Sequence, residues 1–280
     1  MPVPDAVYAF DWRVDGPVVA ITAGWGATAE FVELLPPRPP ESAPSLNPLD
    51  QAALSHLVGL REAGRLGEVA GPAAGSNALA GAALLLPAVP LVAGLATPGD
   101  SRSGTWRSMA GIAWESASIA LAGTDVVKLA VARERPYTAV CGQEPSCYDE
   151  FGESPVVTAT DGTVRVRQAA QVSFLSGHTA VVAASSFSLA EMYAATHRDQ
   201  PWGLRVAVPW GLATLATAGT GLLRVEAGQH YPSDVVAGAI FGAAVGLGVP
   251  VLHRRSGGVA HLFVGECGAE TPCALASGTW

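Results

Sequence analysis

The chain has 280 residues, of which 49% are hydrophobic and only 14% are charged. Soluble domains usually contain about 25% charged residues, so this composition favours a membrane protein and argues against long disordered regions. The formal net charge of −8 argues against nucleic acid as a partner, because nucleic-acid binding requires a basic surface. Nothing resembles a linker between two cores, so we expect one domain over residues 1–280, with its core at about 70–252.

Six apolar segments, separated by breaks rich in glycine, proline and polar residues, predict six helices. They run at about 17–35, 69–97, 106–132, 177–196, 204–223 and 234–252. Each is close to the roughly 20 residues that cross the hydrocarbon of a bilayer. The expected fold class is therefore all-α, a helical bundle of about six core helices that span the membrane. A soluble bundle of buried helices would show the same pattern and stays open as the alternative.

The stretches around these helices differ in character. Residues 1–69 hold the first helix and a proline-rich, then polar, connection, and the N-terminus shows no signal-peptide pattern. Residues 137–172 form a long polar loop with a possible hairpin at Asp161 and Gly162. A loop of that length is usually functional or disordered. Residues 253–280 form a glycine-rich tail.

Three glycines recur at four-residue spacing in the last apolar segment: Gly238, Gly242 and Gly246. This spacing places them on one face of a helix. A neighbouring backbone can approach that face closely, because no side chain separates the two helices.

The four cysteines form two pairs of equal spacing, Cys141 with Cys147 and Cys267 with Cys273. Neither pair has the C-x-x-C spacing of a metal site. We expect two local disulfides, formed in an oxidising compartment, and four unrelated free thiols are the alternative.

The first segment that carries chemistry ends the third helix. Lys128 and Arg135 are seven residues apart, two helical turns, and Pro136 should end the helix and turn Arg135 into the loop. A lysine and an arginine on one face suit a phosphate dianion. A basic helix end that interacts with the helix dipole would look the same.

The second segment, Ser176-Gly177-His178, opens the fourth helix. Serine and glycine at a helix start leave backbone N–H groups pointing outwards, which favours an anion. A simple helix cap with an exposed histidine is the alternative.

The third segment links the fifth and sixth helices and contains Arg224, His230 and Asp234. His230 and Asp234 are four residues apart, so the carboxylate can hold one imidazole nitrogen and leave the other to attack. Most isolated His-x-x-x-Asp pairs are structural, so this pair alone decides nothing.

Together the three segments resemble the signature of the type 2 phosphatidic acid phosphatase and haloperoxidase superfamily. That signature reads Lys-x6-Arg-Pro, then Pro-Ser-Gly-His, then Ser-Arg-x5-His-x3-Asp. The chain departs from it twice, with Leu175 in place of the proline and Leu223 in place of the serine. The resemblance covers about 70–252 and implies a helical bundle with the active site at one end.

The resemblance also implies a phosphatase that needs no metal or other cofactor and forms a covalent phosphohistidine. In that reading His230 is the nucleophile, Asp234 orients it, and His178 is first the general acid and then the general base. The phosphate-binding residues would be Lys128, Arg135, Ser176, Gly177 and Arg224.

A site that opens at a membrane surface favours lipid phosphates as substrates, whether monoesters or pyrophosphates. We expect a membrane location with the active site facing the periplasm or exterior. The main alternative is a soluble, broad-specificity acid phosphatase, periplasmic or secreted, whose signal peptide was removed. A vanadium-dependent haloperoxidase and a non-catalytic lipid-phosphate binder are less favoured alternatives.

Overall fold

The computed structural model describes residues 7–31, 36–37, 39, 46–65, 69–98, 100, 102–141, 154–254, 261–266 and 272–277. The helices in these ranges are α1 Asp15–Phe31, α2 Pro48–Glu62, α3 Ala70–Leu85, α4 Ala88–Ala96, α5 Ser103–Val131, α6 Pro136–Cys141, α7 Gly177–Thr196, α8 Val208–Glu226 and α9 Pro232–Leu252. A 3-10 turn lies at Gln168–Gln171, and a π-helical turn at Gly203–Ala207 leads into α8. The strands are β1 Val156–Thr158, β2 Val164–Val166, β3 His261–Glu266 and β4 Pro272–Ser277. The predicted helical bundle is confirmed.

Helices α5 and α7 form the centre of the bundle. α7 contacts α3, α5, α8 and α9, and α5 also contacts α1 and α4. Away from the active-site end, a cluster of buried apolar residues joins α5, α7 and α9 to the N-terminal segment. It includes Tyr8, Ile112, Met192 and Val249.

The three predicted glycines of α9 let this helix touch α7 backbone to backbone. A Cβ atom added at Gly238 would lie 2.6 Å from the carbonyl oxygen of Ser176, and one at Gly246 would lie 2.5 Å from that of Ala184. At Gly242 the added atom would lie closer still to the carbonyl oxygen of Ala180. No side chain fits at these positions unless the helices separate.

Three helical stretches are long and apolar enough to cross a membrane: Ala70–Ala96, Gly203–Glu226 and Pro232–Leu252. They expose large apolar side chains such as Leu85, Leu215 and Ile240. A surface of this kind needs lipid or protein around it, and the chain is therefore a membrane protein.

Of the six segments predicted to span, three contain a helix that is long and apolar enough to do so among the described residues. α1 has 17 residues within the described part of the chain, which stops at its last residue, Phe31. α5 carries charged Glu115, Asp125 and Lys128, and all three are buried inside the protein. α7 buries Ser185 and Ser188. The apolar helices surround these polar ones, so hydropathy alone could not separate the helices that face lipid from those that line the interior.

The long loop and the tail contain more structure than the sequence predicted. β1 and β2 pair antiparallel around Gly162, whose φ of +80° suits glycine, so the predicted hairpin is confirmed. β3 and β4 pair antiparallel in the tail, where no strand was predicted. Cys141 is buried at the end of α6, but Cys147 and Cys267 lie outside the described residues, so both disulfides stay predictions.

Candidate active site

Backbone hydrogen bonds join the three predicted segments at one end of the bundle. Ser173 donates its N–H to the carbonyl oxygen of Arg133 over 3.0 Å, and Ser176 donates to that of Asp234 over 3.1 Å. Tyr137 donates to the carbonyl oxygen of Gly228 over 3.0 Å. The end of α5, the start of α7 and the α8–α9 connection are therefore held together by main-chain contacts.

Lys128 lies against the N-terminus of α7. Its side chain is buried, and Nζ donates a hydrogen bond to Asp125 Oδ1 over 3.1 Å. A Cβ atom at Gly177 would lie 3.1 Å from the same Nζ. Because Gly177 has no side chain, the ammonium group can sit beside the amides that begin α7, and both favour an anion.

The apolar segment predicted at about 106–132 agrees with the end of α5, but the stop that we expected at Pro136 lies four residues too late. The helix ends at Val131, and Ala132 follows with a φ of +50° in the left-handed region that commonly caps helices. Pro136 is the first residue of α6, a position that suits proline. Arg135 still turns into the loop as predicted, and its guanidinium donates to Gln229 Oε1.

Arg224 is the most buried of the three predicted cations, with 1% of its surface exposed. Its Nη1 donates to Asn77 Oδ1 over 3.2 Å and to Ser76 Oγ over 3.4 Å, and both partners belong to α3. Both of these partners are neutral acceptors, and they help to fix the position of the buried guanidinium group.

The imidazole of His230 is held by a backbone carbonyl group. Nδ1 lies 2.6 Å from the carbonyl oxygen of Ser173, which can only accept a hydrogen bond. Nδ1 therefore carries the proton, and Nε2 carries the lone pair. The ring is buried, so its position is fixed by its surroundings.

The electrostatic surroundings keep His230 neutral. Burial is the largest cause that lowers the pKa of His230 well below 6.5, followed by the charges of Arg224, Arg135 and Lys128. The charge of His178 contributes in the same direction. The three predicted cations and the second histidine thus act together on this ring, and an unprotonated Nε2 at neutral pH is the form that can attack phosphorus.

Asp234 orients His230 less directly than the sequence predicted. Its Oδ2 lies 4.0 Å from Nδ1 of His230, which is too far for a hydrogen bond. The same Oδ2 accepts the hydroxyl proton of Ser173 over 2.6 Å and the backbone N–H of Tyr231 over 2.9 Å. Asp234 therefore holds the two chain segments that hold the histidine, and the contact that fixes the ring comes from Ser173.

Ser176 and His178 occupy the start of α7. The Ser176 hydroxyl is buried and shares a hydrogen bond of 2.9 Å with the hydroxyl of Thr179. His178 is half-buried at the second position of α7. Their roles in phosphate binding and proton transfer stay predictions.

Sequence reasoning missed a buried ion network behind the site. Arg133 pairs with Asp234 and, over 2.8 Å, with Asp50 of α2, and its guanidinium lies 4.2 Å from the centre of the Tyr231 ring. Asp50 also accepts the backbone N–H of Ser233 over 3.0 Å and its hydroxyl over 2.6 Å. The network fastens α2 to the connection that carries His230.

Burial alone would raise the pKa of Asp50, but the hydrogen bonds from Arg133 and Ser233 outweigh it and lower that pKa below 3.8. Both partners are therefore charged at neutral pH. Arg133 lies inside the first motif but had no spacing that singled it out. Asp50 lies 83 residues away from its partner, and no local pattern could have connected the two.

Fold and site together define a helical membrane protein in which three cations and two histidines cluster at one end of the bundle. In a comparison with protein families, the model of the PAP2 superfamily matches residues 111–257. The chain belongs to the PAP2 superfamily. All eight predicted site residues lie inside the matched region, whereas Asp50 lies outside it.

Among curated proteins, the chain is 33% identical over 135 residues to phospholipid phosphatase 1 of Rattus norvegicus. That alignment covers 44% of this chain and 44% of the rat protein, so less than half of the relative is matched. No solved structure matches the chain significantly.

Proposed function

We propose that the chain is a phosphatase that transfers the phosphoryl group of its substrate to Nε2 of His230. The observation that carries the proposal is the state of this histidine. Its Nδ1 proton is committed to the carbonyl oxygen of Ser173 at 2.6 Å, and its pKa is lowered by burial and by three cations. A buried, neutral imidazole among positive charges is suited to attack a phosphate dianion.

The reaction has two steps, and both balance. Nε2 of His230 forms a bond to phosphorus while the P–O bond to the leaving group breaks, and the imidazolium of His178 gives its proton to the leaving oxygen. Neutral His178 then removes a proton from water, whose oxygen attacks phosphorus and releases inorganic phosphate from His230. In the free site, burial and the charges of Arg224, Lys128 and Arg135 lower the pKa of His178 well below 6.5, so its protonation for the first step depends on the negative charge of the arriving dianion.

Lys128, Arg135 and Arg224 supply the positive charge that this reaction needs. Charge in phosphoryl transfer spreads over the three outer phosphate oxygens, and cations placed around them stabilise the transition state. Lys128 Nζ lies beside the start of α7, and Arg224 is buried next to the connection that carries His230. We therefore propose that the reaction proceeds without a metal ion.

The substrate class we propose is lipid phosphates, either monoesters or pyrophosphates. Two membrane-spanning candidates, Gly203–Glu226 and Pro232–Leu252, lie on either side of the connection that carries His230. The site therefore lies at the end of membrane helices, where a lipid head group is found. The printed name of the rat relative, a phospholipid phosphatase, supports the same class.

We propose that the active site faces the periplasm or the exterior. Cys141 lies at the end of α6, next to the site, and a disulfide with Cys147 would form only in an oxidising compartment. Cys267 and Cys273 would be reduced on the other side. A membrane-impermeant thiol reagent, applied to intact cells before and after reduction, should label the Cys141 pair only after reduction. Labelling of that pair without reduction would contradict the disulfide, and labelling only after the membrane is permeabilised would contradict the orientation.

The test of the mechanism is a pair of substitutions assayed with radiolabelled lipid phosphates, a pyrophosphate and water-soluble phosphomonoesters. His230→Ala should abolish release of phosphate, and His178→Ala should slow it by about 10²–10⁴-fold, as expected for a lost general acid and base. His178→Ala should also retain label on His230, because hydrolysis of the intermediate needs the same residue. His197→Ala, at the other end of α7, is the matched control and should leave the rate unchanged.

The outcomes separate the alternatives. An active His230→Ala variant would refute the phosphohistidine. Equal activity on soluble phosphomonoesters and lipids would favour the broad-specificity acid phosphatase. Peroxide-dependent halide oxidation after addition of vanadate would favour the haloperoxidase, and binding without turnover on any substrate would favour the lipid-phosphate binder.

A further inference from the structure

Three side chains that can bind a metal ion meet at the end of the bundle opposite the active site. They are Asp15 at the start of α1, Glu115 within α5, and His253 directly after α9. Glu115 precedes Lys128 by 13 residues on α5, which places the cluster about 20 Å from the proposed phosphate site. The cluster therefore belongs to a separate region of the molecule.

The donor atoms of this cluster converge on one point. His253 Nε2 lies 3.2 Å from Glu115 Oε2 and 3.4 Å from Asp15 Oδ2. One donor atom from each residue lies within 4.8 Å of the others. An imidazole with two carboxylates is a common ligand set for divalent transition metals.

The histidine is already oriented for coordination. Its Nδ1 lies 2.9 Å from the carbonyl oxygen of Val249, so Nδ1 carries a proton and Nε2 faces the carboxylates. Histidines that bind metals nearly always donate their other ring N–H to a carbonyl or carboxylate group in this way. The ring also stacks on Phe10, with the ring centres 6.2 Å apart. Asp15 is oriented too, because its Oδ2 accepts the backbone N–H of Asp11 over 2.7 Å.

Glu115 supplies a second, independent observation. The residue is 6% exposed, and its Oε2 makes no hydrogen bond within the described part of the chain, although it faces His253. Burying a carboxylate oxygen without a hydrogen bond costs several kcal/mol unless a cation compensates it. The buried oxygen therefore needs a positive partner, which is either a bound metal ion or the protonated imidazole of His253 at 3.2 Å.

We propose that Asp15, Glu115 and His253 bind a Zn²⁺ ion, or another divalent transition metal of similar size, in a tetrahedral site. Zinc–nitrogen and zinc–oxygen bonds are about 2.0–2.1 Å long, so the edge of a tetrahedron around zinc measures about 3.3–3.4 Å. The separations of 3.2 and 3.4 Å from Nε2 match that edge. Water completes the fourth position, because Asp15 and His253 retain some exposure to solvent.

Mg²⁺ and Ca²⁺ fit the site less well, since both prefer oxygen ligands in larger number. The alternative to a metal ion is a protonated His253. Burial lowers the pKa of this residue, but the hydrogen bonds with Glu115 and Val249 and the charges of Glu115 and Asp15 outweigh burial and raise that pKa to about 9. Charge-assisted hydrogen bonds, however, are about 2.7–2.9 Å long, and both separations from Nε2 exceed this range.

The ion would act as a structural clamp. Residues 7–15 fold across this end of the bundle, where the backbone N–H of Ala9 donates to the carbonyl oxygen of His253 over 3.0 Å. Asp15 is the only ligand of the three from α1, so the metal would fasten this first helix to α5 and α9.

The full chain, purified in detergent and stripped with a chelator, should bind Zn²⁺ in isothermal titration calorimetry and melt at a higher temperature once loaded. Co²⁺ in its place should give the intense visible absorption of a tetrahedral complex. Glu115→Gln keeps the shape of the side chain, and both it and His253→Gln should weaken Zn²⁺ binding by about 100-fold or more. Glu191→Gln is the control, since Glu191 lies at the same end and pairs with Arg254.

Failure of the stripped wild-type chain to bind Zn²⁺ overturns the proposal, as does binding that both substitutions leave unchanged. The second result would assign the metal to other residues, such as those of the tail. Circular dichroism of each variant separates lost ligands from a lost fold. Phosphate release should be the same with and without zinc below the melting temperature, so this test is independent of the proposed function.

Discussion

Asp50 lies outside residues 111–257, the region that matches the PAP2 family model. Substitution of this residue tests whether the buried ion network contributes to catalysis. Asp50→Ala removes the acceptor of four hydrogen bonds, which come from Arg133, from both groups of Ser233 and from Asn47. Breaking a buried ion pair costs about 3–5 kcal/mol. Arg133 keeps Asp234 and the Tyr231 ring as partners, so we expect the lower end, about 3 kcal/mol less unfolding free energy.

The same substitution should lower kcat more than it raises KM. Asp50 touches no predicted phosphate ligand, but it holds Ser233, the residue before Asp234, and so positions the carboxylate that fixes Ser173 and Tyr231. A displacement of about 1 Å at a reacting group costs up to about 10²-fold in rate. Asp50→Asn, which keeps the size of the side chain, should lose less of both quantities than Asp50→Ala.

The measurements are denaturant unfolding in mild detergent, followed by tryptophan fluorescence, and steady-state release of phosphate. Glu62→Gln is the matched control, because Glu62 is an exposed acid on the same helix, α2. The reasoning would be refuted if Asp50→Ala had the same unfolding free energy and the same kcat as the control. A loss of stability with kcat intact would leave the network structural and remove its positioning role.

Three further predictions concern packing, pH and metal dependence. Gly242→Ala should lower the unfolding free energy by about 1–3 kcal/mol, because the added methyl group overpacks against Ala180. Gly248→Ala is the control: an added Cβ atom there meets nothing within 4 Å, so the same unfolding assay should show no change or a slight stabilisation. The pKa of His230 lies below 6.5 in the folded protein, so as the pH falls the unfolded chain binds a proton at this residue before the folded chain does, and the unfolding free energy should decrease below about pH 6.5. His230→Gln should flatten this dependence of the unfolding free energy on pH. A decrease of kcat/KM towards low pH that already begins above pH 7 would contradict the assignment. Turnover should survive excess chelator below the melting temperature and be inhibited by vanadate, and loss of activity that Mg²⁺ restores would refute a metal-free reaction.

The sequence was sufficient for those parts of the site that depend on local spacing. Lys128 and Arg135, the start of α7 and the pair of His230 and Asp234 are each set by a short stretch of chain, and backbone hydrogen bonds bring the three stretches together as predicted. The helical bundle and the glycine face of α9 also follow from periodicity, because the spacing of residues on a helix is fixed.

The parts that escaped prediction depend on contacts distant in sequence or on the backbone itself. The acceptor for His230 is a carbonyl group of Ser173, and a backbone acceptor leaves no mark on the sequence. Asp234 sits at the third position of α9, where its carboxylate accepts the N–H of Tyr231 in a capping box, so it is not available to the imidazole in the way that spacing suggested. The pairing of Asp50 with Arg133 depends on the tertiary fold alone.

The close contact of α7 with α9 changes how substitutions along these helices should be interpreted. A methyl group at Gly238 would meet the carbonyl oxygen of Ser176, and one at Gly246 would meet that of Ala184. Neither glycine has a role in the proposed chemistry, yet replacement of either would push the two helices apart. A variant at either position that loses activity would therefore report lost packing, and only the geometry of the two backbones distinguishes a residue that reacts from one that must leave room.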